Sequence, residues 1–488
     1  MPMFQRLALI SVVLLFALAG CATNPVSGKK EAAFMSEEKE IEIGREVDSE
    51  IRKQYGVYDD PELQAYVQQV GEKLAGLSHR PELFYRFTVL DSPDVNAFAL
   101  PGGYIYITRG ILTYLNSEAE LAAVLGHEVG HVTARHAVKQ YTTATAARLG
   151  YILGSIFVPE LAGQGVASLV STLNAAILSG YGRKYELQSD ELGAQYLALA
   201  GYDPQAMIEV LEILKTQEEF ELERAKLEGR EPRVYHGLFA THPSNDQRLQ
   251  EIIDDARELK TPNPRVGRGE FLQHLDGVVF GDSVKEGVRY GNKFYHKDLG
   301  FALEVPANWR IENRPNELVA VSRNNEGVLR VALEDINRRV TPREFMLKRL
   351  KLKDLTKDAP LNTKGLQGYT AIARVTWSFG RRDTRVSVIF FGDKAYIFYG
   401  TGKTDAAFSA ADPKFLSSAR SFHALTATEQ KLAEGLRIEI VTASAGTTFT
   451  GLAKGSPVPN YPTRILRIIN DKYPSGEPTP GQKLKVIR

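Results

Sequence analysis

Apolar residues recur at helical spacing through the first part of the chain. Between residues 37 and 77 they fall at Ile41, Ile43, Val47, Ile51, Leu63, Tyr66, Val67, Val70, Leu74 and Leu77 on a charged background. That period predicts helices with these positions turned to a core. The period then changes. Residues 84–90 and 96–108 alternate as strands do, with Pro101-Gly102-Gly103 as the turn between two short runs. Helical patterning returns at Ser117-Glu118-Ala119-Glu120, a capping-box sequence followed by Leu121, Val124 and Leu125. It dominates to about residue 260, where TPNPRVGRG (261–269) interrupts it.

From residue 281 the texture is different. Residues 301–305, 318–322, 328–334, 369–377, 384–391 and 394–399 predict strands, with helical stretches near 341–352 and 413–421. Strands with interspersed helices predict an α+β domain. A third unit begins near Thr428. The expected organisation is multidomain: a mainly α domain with a small β-sheet over 37–262, a linker over 263–283, an α+β domain over 284–427, and a small α+β unit over 428–488. The length of 488 residues suits about three domains. Sixty Lys and Arg stand against 59 Asp and Glu, which gives no bulk electrostatic case for nucleic-acid binding. A single cysteine excludes an intrachain disulfide.

The N-terminus has a secretory layout. Arg6 supplies a positive start, residues 7–18 are almost wholly apolar, and Ala19-Gly20-Cys21 follows. The run is shorter than the roughly 20 residues of a membrane span. Leu18-Ala19-Gly20-Cys21 resembles the bacterial lipobox, and the only cysteine stands where lipidation needs one. The expectation is a signal peptide over 1–20, a lipid anchor at Cys21 and a tether over 21–36. Acyl chains rather than basic charge would then hold the protein to a membrane. Ala22, which is not Asp, favours the outer membrane facing the periplasm by resemblance to lipoprotein sorting.

The strongest chemical signal is His127-Glu128-Val129-Gly130-His131. Four residues apart on a helix, the two histidines share one face and can hold one Zn²⁺. Glu128 can reach a water beside the metal without being a ligand. The flanking LAAVLGHEVGHV is small and apolar, so this helix is expected to be buried, where two histidines and a glutamate need partners or a metal. Gly126 and Gly130 imply a closely packed neighbour, since each costs helix stability of about 1 kcal/mol against Ala. A catalytic zinc takes a third protein ligand. In Arg183-Lys184-Tyr185-Glu186-Leu187-Gln188-Ser189-Asp190, Glu186 and Asp190 share one helical face. His136, nine residues beyond His127, should face away from the metal on a continuous helix. His79, His236, His274, His296 and His423 have no ligand spacing.

With Glu186 lying 55 residues after His131, and with Arg183 and Asp190 in place, this pattern resembles metallopeptidase family 48. These are gluzincins related to the CAAX prenyl protease and to BepA-type periplasmic peptidases. Asn96-Ala97-Phe98-Ala99 with Leu100-Pro101-Gly102-Gly103 is similar to the family's edge strand. Thr241-His242-Pro243, with Arg248 after it, is similar to its distal segment. Gln188-Ser189 departs from the usual Glu-Ala at a position that is not a ligand.

The resemblance implies a zincin-type fold and one zinc per chain, held by His127, His131 and Glu186. Glu128 would be the general base, and Asp190 would orient a histidine ligand. Asn96, Ala97, Phe98 and Ala99 would receive a polypeptide substrate by strand addition. His242, Arg248 and Tyr185 are the candidates for the oxyanion donor. The apolar stretch 147–179 is expected to be either a lid over the site or ordinary core helices.

Residues 301–309 and 392–400, closing with 415–422, resemble a PsbP-like α+β fold. Gly446-Thr447-Thr448-Phe449, 465–470 and Pro480-Gly481-Gln482-Lys483-Leu484 resemble a degenerate LysM-like unit that lacks the Asp of its "GDT" turn. That implies peptidoglycan contact. The leading expectation is a lipid-anchored zinc endopeptidase acting on envelope proteins, in quality control or maturation. The alternatives are a chaperone-like assembly factor that cleaves rarely and a cell-wall-associated peptide hydrolase.

Overall fold

The structure, a computed structural model, describes residues 21–32, 35–143, 180–228, 261–314, 317–336 and 339–488, with the single positions 232 and 259. The stretch 144–179 and the His242 and Arg248 positions lie outside the described residues. The chain divides into two compact units, Met1–Phe280 with Arg437–Arg488, and Gly281–Leu436.

The first unit opens with a short antiparallel hairpin, Cys21–Thr23 against Lys30–Ala32, within the expected tether. Asn24 closes its loop by accepting from the Val26 and Ser27 amides. Helix α1 (Glu37–Tyr55) starts at Ser36, whose hydroxyl accepts from the Lys39 amide. Helix α2 (Pro61–Ala75) starts at Asp60 with proline in its first turn. Ile43, Val47, Leu63, Val67 and Leu74 are buried as their spacing predicted. Leu77 is not: it follows the end of α2 and is 43% exposed.

Strands β1 (Arg86–Leu90), β2 (Ala97–Leu100) and β3 (Tyr104–Thr108) form a sheet of order β1-β3-β2. β3 pairs parallel with β1 and antiparallel with β2, so β2 is an edge of this sheet. The turn between β2 and β3 takes positive φ at Gly102 and Gly103 and lies against α1. A Cβ on Gly102 would come within 2.8 Å of Ile41 Cα, so only glycine fits both the fold of the turn and the approach. Next come α3 (Glu118–Thr133), α4 (Arg183–Leu199), α5 (Ala206–Leu227), α6 (Arg268–Leu275) and the short β4 (Val279–Phe280).

The second unit, described by itself, holds two antiparallel sheets. β5 (Val288–Tyr290), β6 (Lys293–His296) and β7 (Phe301–Glu304) lie in one; β8 (Arg310–Arg314), β9 (Glu317–Val321), β10 (Gly327–Asp335), β11 (Thr356–Thr363), β12 (Leu366–Trp377), β13 (Gly380–Phe391) and β14 (Lys394–Gly402) make the other. The larger sheet runs β8-β9-β10-β14-β13-β12-β11. Period-two alternation explains how it is covered on both sides. Tyr396 and Phe398 of β14 face helix α7 (Asp405–Ser421) with Phe408 and Phe415, while Ala395 and Ile397 face Phe345 and Met346. β15 (His423–Ala424) then joins the smaller sheet beside β7. This is the expected α+β texture, with every expected strand present.

The chain finally re-enters the first unit through β16 (Leu436–Thr442), α8 (Phe449–Ala453), α9 (Pro462–Ile469) and β17 (Lys483–Ile487). β17 and β16 are antiparallel, and β16 also pairs with β4. The partition therefore differs from the expected one. Residues 437–488 are part of the first unit, and the expected linker contains α6 and β4. The reason is a set of contacts far apart in sequence. The fully buried Lys485 ammonium donates to the Thr113 and Leu115 carbonyls, at 2.9 and 2.6 Å. Burial pushes Lys485 well below its ordinary value and the nearby Glu120 up to about 7. No helix among the described residues is long and apolar enough to cross a membrane.

Candidate metal centre

Helix α3 is buried along its whole length, and both of its ends are fixed by side chains. At the start, the Ser117 hydroxyl accepts from the Glu120 amide at 3.1 Å. The Glu120 carboxylate accepts from the Asn116 amide at 2.7 Å, one residue ahead of the expected capping-box partner. Glu118 accepts from the Tyr66 and Tyr202 hydroxyls and from Arg265. At the far end, Arg80 donates to the Val132 carbonyl at 3.3 Å and to Glu40 at 3.0 Å. Arg135 also donates to Glu40, at 2.9 Å, and to the Met35 carbonyl. These bonds hold Arg135 at a φ of 55°, in the left-handed region, and the helix stops there.

α4 crosses α3 at its glycines. A Cβ on Gly126 would meet Leu197 at 3.0 Å, and one on Gly130 would meet the Ser189 carbonyl oxygen at 3.0 Å. One on Gly193 of α4 would lie 3.0 Å from the His127 amide nitrogen. This is the close neighbour that the two glycines of α3 implied. The approach places Glu186 and Asp190 against the two histidines.

The ring nitrogens His127 Nε2 and His131 Nε2 are 3.0 Å apart. Glu186 Oε2 is 3.6 Å from the first and Oε1 is 3.4 Å from the second. Donors around tetrahedral zinc, at bond lengths near 2.0–2.1 Å, stand about 3.3 Å from one another. The trio thus fits one zinc ion in both donor type and spacing. It is also the group of His, Cys, Asp or Glu residues able to hold a metal among the described residues. Glu186 is fully buried and lies in the first turn of α4, where the helix dipole favours a carboxylate. Burial holds the His131 imidazole well below its ordinary value and so neutral, as a ligand must be. Glu128, also fully buried, follows His127 on the same helix.

Asp190 Oδ1 lies 2.8 Å from His127 Nδ1. His136 departs from expectation. A continuous helix would have turned it away, but the break at Arg135 brings it back. Its Nδ1 is 2.9 Å from His131 Nδ1, and its Nε2 is 3.0 Å from Gln188 Oε1. Ser189 Oγ is 3.3 Å from His136 Nδ1. Burial pushes His136 down to about 4. The two residues that depart from the Glu-Ala pattern therefore both touch His136.

Tyr185 stacks on His136, with ring centroids 4.6 Å apart, rather than on the trio. Tyr181, which no sequence signal singled out, stacks on His131 at 4.1 Å. Burial, with the charges of Glu128 and Glu186 nearby, raises its phenol, so it keeps its proton. Ala97, Phe98 and Ala99 form the edge strand β2 and are buried; Asn96 precedes it and accepts from the Thr108 amide.

Residues 61–256 match the model of Peptidase family M48. The chain is similar to the Beta-barrel assembly-enhancing protease of Yersinia pestis, 30% identical over 256 residues, which is 51% of this chain and 50% of that one. It is also similar to the Mitochondrial metalloendopeptidase OMA1 of Arabidopsis thaliana, 34% identical over 198 residues, covering 40% of this chain and 36% of that one. The chain thus spans half or less of the length of these relatives. The solution structure of cyanobacterial PsbP from Synechocystis sp. PCC 6803 covers 28% of this chain and 95% of its own at 15% identity. Its TM-score is 0.22.

Proposed function

We propose that this chain, whose residues 61–256 match the model of Peptidase family M48, is a zinc-dependent endopeptidase that hydrolyses envelope polypeptides. The observation that carries the reading is the trio of His127, His131 and Glu186, with donor spacings of 3.0, 3.4 and 3.6 Å. Zinc held there by these three residues would lower the pKa of a bound water toward about 7 and polarise the scissile carbonyl. His127 and His131 present Nε2 lone pairs, and Glu186 contributes the charge. Glu128 takes the proton of the attacking water as general base and delivers it to the leaving amine. Asp190 keeps the His127 ring in its liganding orientation.

An extended substrate adds along the outer edge of β2, beside Asn96 to Ala99. Because Ala97 and Ala99 are buried, that edge has to be uncovered first. Of the three expected oxyanion donors, Tyr185 is engaged with His136. The oxyanion donor is one of Tyr185, His242 and Arg248. The apolar run ending at Cys21 supports a lipid anchor and a periplasm-facing placement at the outer membrane. The strand–helix–helix–strand order of residues 436–487 supports a peptidoglycan contact.

The test is casein degradation by the zinc-loaded chain starting at Ala22, beside Glu128→Gln. Cleavage should vanish in the variant while one zinc per chain remains. Cleavage that survives Glu128→Gln, or a chain that takes up no zinc, would overturn the reading. Zinc uptake without cleavage by the unaltered chain would move the assignment to the assembly-factor alternative.

A further inference from the structure

We propose that His136 is a positioning residue that sets His131 as a zinc ligand, and that Gln188 fixes the tautomer on which this depends. The inference rests on the zinc-peptidase reading and is argued from the hydrogen-bond polarity of Gln188, His136 and His131. With the Gln188 amide turned so that Oε1 lies 3.0 Å from His136 Nε2, that oxygen accepts and the ring nitrogen carries the proton. A neutral imidazole protonated on Nε2 has its lone pair on Nδ1. That lone pair faces His131 Nδ1 at 2.9 Å, so His131 holds its own proton on Nδ1. His131 Nε2 is then bare, and it is the atom that converges with His127 Nε2 and Glu186. The Ser189 hydroxyl, 3.3 Å from His136 Nδ1, donates to the same lone pair.

Reversing the Gln188 amide reverses the whole relay. Its NH₂ would then demand a lone pair on His136 Nε2. His136 Nδ1–H would point at His131 Nδ1, and His131 would turn an Nε2–H toward the trio. Such a histidine has no lone pair for a metal. One partly buried glutamine thus selects, through two rings, whether the buried ligand is competent. The two ligand histidines are held by different chemistry. His127 gives its Nδ1–H to the Asp190 carboxylate, and His131 gives its own to a neutral imidazole. The second arrangement adds no further negative charge to a core that already buries Glu186, Glu128 and Asp190.

The test uses the full mature chain and reads the zinc dissociation constant by competition with a chelating dye. His136→Leu should weaken zinc binding ten- to hundredfold, the usual effect of losing a partner that orients a ligand. His136→Asn, whose Oδ1 stands where Nδ1 stood, should recover most of that loss. Gln188→Met removes the acceptor at a partly buried position and should weaken binding several-fold even if His136→Leu fails to fold. Long-range ¹H–¹⁵N spectra of the metal-free chain should show His131 protonated on Nδ1. Equal zinc affinity in wild type, His136→Leu and Gln188→Met, or His131 protonated on Nε2, would overturn the proposal. If the unaltered chain takes up no zinc, the peptidase reading fails, and the His131 tautomer still decides the relay.

Discussion

Gly193→Ala tests whether the contact between α3 and α4 sets the metal centre. The new Cβ would stand 2.4 Å from Met207 Cε, 3.0 Å from the His127 amide nitrogen and 3.3 Å from the Gly126 carbonyl carbon. The Met207 tail can swing aside, but the backbone of α3 cannot. Ordinary contact requires α4 to draw back by roughly 0.5–1 Å. Overpacking of this kind costs about 1–3 kcal/mol. Alanine returns about 1 kcal/mol of helix propensity. The net loss of stability in the metal-free chain is therefore on the order of 0–2 kcal/mol.

The metal responds more steeply. Glu186 lies two turns before Gly193 on the same helix and moves with it, whereas ligand distances tolerate only about 0.2 Å. Zinc affinity should fall at least about tenfold, a larger effect than the stability change alone suggests. Chelator competition reads the affinity, and urea unfolding of the metal-free chain reads the stability. Gly269→Ala is the control, since nothing lies within 4 Å of its Cβ position. A Gly193→Ala chain that binds zinc like wild type and gains stability as the control does would refute the reasoning.

Asp190→Ala should lower zinc affinity about ten- to hundredfold, because it frees the His127 ring; an unchanged dissociation constant in the same chelator assay would remove Asp190 from that role. Lys485→Ala leaves the Thr113 and Leu115 carbonyls without their buried donor and should lower stability by about 3–5 kcal/mol. A denaturant midpoint equal to wild type would contradict this. Acid titration tests Glu118: burial raises its carboxyl, but hydrogen bonds from Arg265, Tyr202 and Tyr66 outweigh that and leave it below the ordinary value. A lowered carboxylate contributes stability that is present above its unfolded value and lost as pH falls through the folded one. Wild type should therefore lose stability below about pH 4.5 along a slope that Glu118→Gln lacks; parallel acid-unfolding curves would count against it.

How far the sequence showed the centre depended on how local each signal was. The i, i+4 spacing of His127 and His131 needs only one continuous helix, and α3 provides it. The turn at Pro101-Gly102-Gly103 was visible because glycine at positive φ marks it. His136 was misplaced because periodicity extends a helix until a glycine or proline stops it. Here the stop is Arg135, held in a left-handed conformation by Glu40, 95 residues earlier. Gln188 and Ser189 looked incidental for the same reason, since their partner was assigned to the wrong face. Residues 437–488 carry the alternation of a small independent unit. Only the contacts of Lys485 and β4 show where they belong, and such contacts leave no local pattern.

Those contacts also order events in time. The bond from Lys485 to Thr113 spans 372 residues, and the whole unit Gly281–Leu436 is inserted between its ends. A ribosome delivers residue 113 long before residue 485, so the first unit stays unfinished while the insert is synthesised. Joining the ends of so long a segment adds little to the closure entropy, which grows only with the logarithm of length. The delay is set by synthesis rather than by an energetic barrier. A nascent chain therefore completes its first unit only after the insert has been made, and chains cut short before residue 437 lack the segment that completes it.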